Sequence, residues 1–231
     1  MKPNKSSPVI LALETSTEYC SVALRVEDEV FADCEQAGQK HSEMLLPMID
    51  ALLHRARVEP PRLDAIAFGA GPGSFTGLRI ACGVAQGLSF ALDLPCVPVG
   101  SLEAMAEASG GERVLACADA RMEQVYLAAY ERSDEVWREV LPPALCDPGD
   151  MPDLPGSDWL GCGGDFERYP EIMAGPYASK ISEVRFDLVP HAREVCHLGT
   201  RYLSAGKSVA STEVAPLYVR NKVALTMEEQ R

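Results

Sequence analysis

The hydrophobic and polar positions fall into blocks whose period changes along the chain. Pro8 to Ser16 (PVILALETS) is a continuous apolar run ending in hydroxyls, the pattern of a strand buried on both faces. Tyr19–Asp28 (YCSVALRVED) alternates, and Glu29–Gly38 (EVFADCEQAG) follows after a tight turn. His41–Ala56 (HSEMLLPMIDALLHRA) shifts to a period of about 3.6, with Leu45, Ile49, Leu52 and Ala56 on one face and Ser42 as the expected N-cap. Arg62–Ala70 predicts another buried strand, Thr76–Leu92 a long helix and Pro95–Ser101 a fifth strand. Ser101–Ser109 predicts a third helix, capped by Ser101 and stopped at Gly110–Gly111. The resulting order, β-β-β-α-β-α-β-α, is that of the ribonuclease H-like half-domain that actin-like ATPases use twice.

A second unit begins after Gly111, so two subdomains are expected, residues 1–110 and 111–231. Arg113–Val140 predicts strand, turn, strand and a third strand beyond Ser133-Asp134-Glu135. Residues 142–158, rich in Pro, Asp and Gly, predict an irregular connection. Trp159–Tyr169 reads as a short strand breaking into a glycine turn. Pro190–Gly206 predicts an amphipathic helix with Pro190 near its start and Gly206 as its stop, and the last segments are expected to pack back on the first subdomain. The polar tail LTMEEQR predicts fraying, and the sequence shows no internal repeat.

Net charge is −13 over 231 residues, which argues against this chain being the main grip on a polyanion. The longest basic cluster, Arg220-Asn221-Lys222, is short and reads as a solvated face. Eight cysteines stand singly, with no C-x-x-C pair and no zinc-finger spacing, which suits a reducing compartment. The start of the chain is too briefly apolar for a signal peptide or a bilayer span, so a soluble cytoplasmic protein is expected.

Gly69 to Phe90 (GAGPGSFTGLRIACGVAQGLSF) holds the strongest candidate chemistry, because a glycine-rich turn opening a helix favours anions. A Walker A loop would need lysine where Leu78 stands, and the dinucleotide fingerprint fails at Thr76. A tight strand-to-helix turn is the favoured reading, with Thr15, Ser16, Gly73 and Ser74 as candidates for weak phosphate contact. The nearest run to a nucleophile elbow, around Ser89, falls mid-helix and lacks the second glycine. His41, His54, His191 and His197 form no H-E-x-x-H and read as surface or capping groups. Asp119, Arg121 and Glu123 read as a charged turn. No nucleophile, metal cluster or acid–base pair emerges, so no catalytic residue and no metal ligand is assigned.

The stretches ILALETSTEYCSVAL, LDAIAFGAGPGSFTGLRIACGVAQGL, ADARMEQVY and APLYVRNKVA, in that order, resemble the TsaB (YeaZ) family; Ala81 stands where the family often has glycine, and residues from about Leu141 to Arg185 match only loosely. The resemblance implies an α/β actin-like (ASKHA) fold. It also implies a non-catalytic subunit that activates TsaD in transferring a threonylcarbamoyl group to N6 of adenosine 37 in tRNAs reading ANN codons. TsaE and tRNA would be reached through the complex, and ATP and metal would belong to the partner subunits. TsaD-like proteins hold metal through H-x-x-x-H at the start of a helix; aligned there, this chain has Ser101 and Met105, poor ligands for such a cation.

Gly83 and Gly87 share a helical face with Arg79 and Phe90, and each mid-helix glycine costs about 1 kcal/mol relative to alanine. Ile80, Ala81, Val84, Leu88 and Ala91 already supply an apolar stripe for the sheet, so the glycine face is read as a docking surface. Met44, Met48 and Ala51 of the first helix, off its core line, extend it. TsaB-like proteins pair through these two helices, with TsaD or with a second copy when TsaD is absent. Two alternatives stay open: an independent ATP-dependent phosphotransferase of the actin-like class, disfavoured by Ser16 where close backbone approach wants no side chain, and a peptidase, disfavoured by the missing nucleophile–base pair.

Overall fold

The computed structural model describes residues 7–175 and 177–219. The Arg220-Asn221-Lys222 cluster and the LTMEEQR tail lie outside them, as does most of the N-terminal segment before the first strand.

Strands β1 (Ile10–Glu14), β2 (Tyr19–Val26), β3 (Glu29–Gln36), β4 (Ala65–Gly71) and β5 (Cys96–Gly100) form one sheet in the order β3-β2-β1-β4-β5. Pairing is antiparallel for β1–β2 and β2–β3 and parallel for β1–β4 and β4–β5. Helices α1 (His41–Ala56) and α2 (Phe75–Leu92) lie on one face, and α3 (Ser101–Ser109) leads out of it. The second sheet holds β6 (Arg113–Arg121), β7 (Gln124–Ser133), β8 (Val136–Cys146), β9 (Trp159–Cys162) and β10 (Ile181–Arg185), ordered β10-β9-β6-β7-β8. Its first two pairings are again antiparallel and its β6–β9 and β9–β10 pairings parallel. Both sheets therefore have the same topology, a three-strand meander extended by two parallel strands on the other side of its first strand. Short helices α4 (Asp165–Arg168) and α5 (Glu171–Ala174) follow β9, and α6 (Ala192–Ser204) returns to pack on β1, β2, β4 and β5 of the first sheet.

The period-2 alternation of β1 divides its side chains between two cores. Leu11 and Leu13 join Leu45, Ile49, Leu52 and Ala85 beneath α1 and α2, whereas Ile10 and Ala12 join Val195, Cys196 and Leu198 of α6. That second core continues through Leu102 and Met105 of α3 to Val114, Ala116 and Tyr130 of the second sheet, so α3 and α6 form the layer that joins the two halves. A third core, around Trp159, Phe166 and Tyr177, covers the far face of the second sheet. An ionic cluster reinforces the join: Glu107 of α3 accepts Trp137 Nε1 at 2.8 Å and pairs with Arg201 of α6 at 3.0 Å and Arg132 of β7 at 3.7 Å.

Several local expectations change. Lys40, not Ser42, is at the N-cap of α1, with no side-chain cap, and Gly100 rather than Ser101 caps α3. The expected irregular connection begins as strand: β8 runs on through Pro142 and Pro143 to Cys146. An edge strand tolerates prolines that a central one would not, and the β7–β8 register shifts there. β10 and the two short helices were not legible, because Ile181–Arg185 buries only Ile181 and half-buries Val184.

Candidate functional site

The turn from β4 into α2 is packed against the β1–β2 turn. A Cβ on Gly77 would penetrate the Thr15 carbonyl, one on Gly69 would penetrate the Glu14 carboxylate, and one on Gly73 would lie 2.6 Å from Ser16 Cβ. Ser74 N donates to Ser16 O at 2.7 Å, Thr15 Oγ1 donates to Gly77 O at 2.8 Å, and Ser74 Oγ accepts Gly77 N at 3.3 Å as the helix cap. Leu78 N is bonded to Ser74 O at 2.9 Å. The glycines thus admit a neighbouring backbone to the turn, and three of its amides are already occupied. Thr15 and Ser16 are buried, Gly73 is half-buried and Ser74 is exposed.

Glu14 is the hub of this junction. Its Oε1 accepts Ser16 N at 2.6 Å and its Oε2 accepts Ser101 Oγ at 2.9 Å. Burial raises its carboxyl above the ordinary range, against the pull of these hydrogen bonds. Ser101 is therefore committed to Glu14, and Met105, 2% exposed, belongs to the joining core. Among the described residues, no serine, threonine or cysteine shares a hydrogen bond with a histidine: His41 Nε2 lies 3.2 Å from Tyr19 O and His54 Nδ1 2.9 Å from Asp50 O. Asp119 accepts Arg121 N and pairs with Arg121 and Arg168, a charged turn as expected. His191 sits at the N-cap of α6 without a side-chain cap and His197 lies within that helix; both are half-buried, and burial lowers both. Burial also pushes Cys20 and Cys82 up to about 11 and Cys162 to about 12, so these thiols stay protonated near neutrality.

The other candidate surface is the outer side of α1 and α2. The core stripe of α2 consists of Leu78, Ala81, Cys82, Ala85 and Ser89; Ile80, Val84 and Leu88 are only half-buried and Ala91 is exposed, so the stripe expected from sequence is rotated. Arg79, Gly83, Gly87 and Phe90 fall opposite it, all exposed, with Phe90 at 79%. Among the described residues, no atom outside the helix's own local backbone lies within 4 Å of a Cβ built on Gly83 or Gly87. Among the described residues α2 is the one helix long and apolar enough, by length and composition, to cross a bilayer, yet only 33% of it is buried. Its excess apolar surface faces outward. Arg79 is partly engaged, stacking on Phe75 at 3.8 Å and donating to Tyr218 Oη at 3.0 Å.

On α1, Ala51 is exposed and Met44 half-buried, but Met48 belongs to the core at 8% exposure. Its place on the helix turns it inward beside Leu45, Ile49 and Leu52, so it leaves the expected docking set. Leu46, 53% exposed, was missed; its position before Pro47 on an otherwise core-forming helix was the available signal.

The family model for TsaD, tRNA N6-adenosine threonylcarbamoyltransferase, matches residues 34–220. The tRNA threonylcarbamoyladenosine biosynthesis protein TsaB of Escherichia coli is 36% identical over 225 residues, 93% of this chain and 96% of that protein. Its Haemophilus influenzae counterpart is 34% identical, covering 93% and 94%. The solved structure of YeaZ from Pseudomonas aeruginosa superposes with a TM-score of 0.82 at 36% identity, covering 91% of this chain and 99% of that one. A second Pseudomonas aeruginosa structure, described as an uncharacterized protein with similarity to peptidase YEAZ, gives 0.86 at 37% identity. The duplicated sheet topology, the glycine turn closed on Glu14-Thr15-Ser16 and these full-length likenesses together place the chain in the TsaB (YeaZ) family, in the wider group that the TsaD model describes.

Proposed function

We propose that this chain is a non-catalytic subunit of a cytoplasmic tRNA threonylcarbamoyladenosine-forming enzyme, which docks on a TsaD-type subunit through the outer faces of α1 and α2. The open ground over Gly83 and Gly87, opposite the core stripe of α2, carries the reading. Two glycines each weaken the helix by about 1 kcal/mol, and none of the described residues uses the room they leave. A closely approaching helix would use it. The TsaD-type partner is supported by the family, whose Escherichia coli member is named for threonylcarbamoyladenosine biosynthesis. Met44, Leu46 and Ala51 extend the apolar face, and a second copy of the chain is the expected occupant when the partner is absent.

A non-catalytic role is supported by the state of the junction around Glu14. The turn residues Ser74 and Gly77 are bonded to Ser16 and Thr15 rather than forming an open cradle, and Ser101 is bonded to Glu14. ATP and metal are accordingly assigned to the partner subunits, and TsaE and tRNA to contacts made through the complex. Reconstitution tests the reading: threonylcarbamoyl transfer should require both this chain and the TsaD-type subunit, and the two should co-purify. Transfer at full rate without this chain, or ATP hydrolysis or peptide cleavage by the chain alone at a useful rate, would overturn it.

A further inference from the structure

Away from both surfaces, a cleft of about 440 Å³ opens between the β5–α3 corner, β7–β8 and the end of α6. Glu103, 9% exposed, accepts the Tyr202 hydroxyl, and Glu139 and Lys207 stand on the same wall. Tyr130 lines the cleft at 2% exposure, and its hydroxyl has no hydrogen-bond partner among the described residues. With no such partner, that hydroxyl is left to bond water or a ligand in the cleft. Pro98, Val99 and Leu217 supply an apolar wall opposite.

Among the described residues two carboxyls face one ammonium there: Glu103 is buried, Glu139 and Lys207 are exposed, and Lys207 Nζ rests 4.6 Å from the Tyr202 ring centre. Burial raises the Glu103 carboxyl against the pull of the Tyr202 hydrogen bond; the Glu139 charge adds to the rise and the Lys207 charge opposes it.

We propose that this cleft binds a small alkylammonium ligand, with its charged head between Glu103 and Glu139 against the tyrosine rings, the Tyr130 hydroxyl bonded to it, and its aliphatic part on Pro98, Val99 and Leu217. Cation–π contact and charge-assisted hydrogen bonds suit that head group. Both a free amino acid and an aliphatic amine carry it. An amino acid would add a carboxylate facing Lys207.

Calorimetric titration of the whole purified chain with n-butylamine, L-norvaline and valerate, three probes of similar length, tests the proposal. Saturable binding of butylamine or norvaline is expected at or below about 10 mM, with none for valerate. Norvaline binding more tightly identifies the amino-acid class, and butylamine binding as tightly or more tightly identifies the amine class. Glu139→Gln and Tyr130→Phe should each weaken binding about fivefold to tenfold with melting unchanged, whereas Glu103→Gln is a secondary variant because it also touches Tyr202. Absence of saturable binding for both ammonium probes, or affinity unchanged in both Glu139→Gln and Tyr130→Phe, would overturn it.

Discussion

Glu14 and Asp119 occupy matching places in the two halves of the molecule. Each lies in the first strand of its sheet, near the hairpin, and each accepts the backbone amide two residues on: Ser16 N at 2.6 Å and Arg121 N at 2.8 Å. The surroundings then diverge. Glu14 is buried under the glycine turn and bonded to Ser101, whereas Asp119 remains accessible and pairs with Arg121 and Arg168. One half has closed its hairpin against its helix and the other keeps it charged.

The closed hairpin predicts unequal tolerance among the glycines. Gly77→Ala should destabilise the chain by about 1–3 kcal/mol, because its Cβ meets the Thr15 backbone, which cannot move aside like a flexible side chain. Gly83→Ala, in open space on the same helix, should stabilise it by up to about 1 kcal/mol. Urea unfolding of both variants checks this; equal effects would mean that the turn is not closed as described.

Asp165 predicts a pH dependence. Burial, then the Asp119 charge, raises its carboxyl from 3.8 to about 6, with Arg168 and Arg121 partly opposing. The folded state therefore holds the proton more tightly than the unfolded one, so stability from this group is full below 3.8 and is lost as pH rises to about 6. Asp165→Asn should melt a few degrees above the parent near about pH 7, with the gain shrinking toward about pH 4. Parallel melting curves across that range would contradict the assignment.

The ionic join between the halves predicts a cost for its centre. The Glu107 side chain is 7% exposed and serves Trp137, Arg132 and Arg201 together. Because those arginines are 21% and 34% exposed, Glu107→Ala should cost about 1–3 kcal/mol rather than the full penalty of a deeply buried pair. An unfolding free energy unchanged within about 0.5 kcal/mol would show that the packed α3–α6 layer holds the halves unaided.

The first half was largely legible in the sequence because β1 and β4 are apolar on both faces, β2 alternates and the helices carry clear periods. The second sheet's repeat of the same topology was not. Its edge strand β8 contains Pro142 and Pro143, and β10 exposes Ser182, Glu183 and Arg185, so neither carries a strand pattern strong enough to read alone. The exposed face of α2 was legible in its glycines, whereas the extent of the proposed docking face on α1 was not. Helical periodicity placed Gly83, Gly87 and Phe90 on one side, yet Met48, three residues after Leu45 and four before Leu52, falls on the core face of α1 by the same periodicity. The role of Ser101 was invisible, since its partner Glu14 lies 87 residues away.

Gly87→Leu tests the docking reading most directly, with thermal melting of the purified variant measured beside its co-elution with a TsaD-type subunit. The new side chain meets open space among the described residues and improves helix propensity by about 1 kcal/mol, so melting should hold or rise. It also fills the gap through which a partner helix would approach, so co-elution should be lost. A sharply lowered melting temperature with co-elution intact would contradict the account and place Gly87 against this chain's own core.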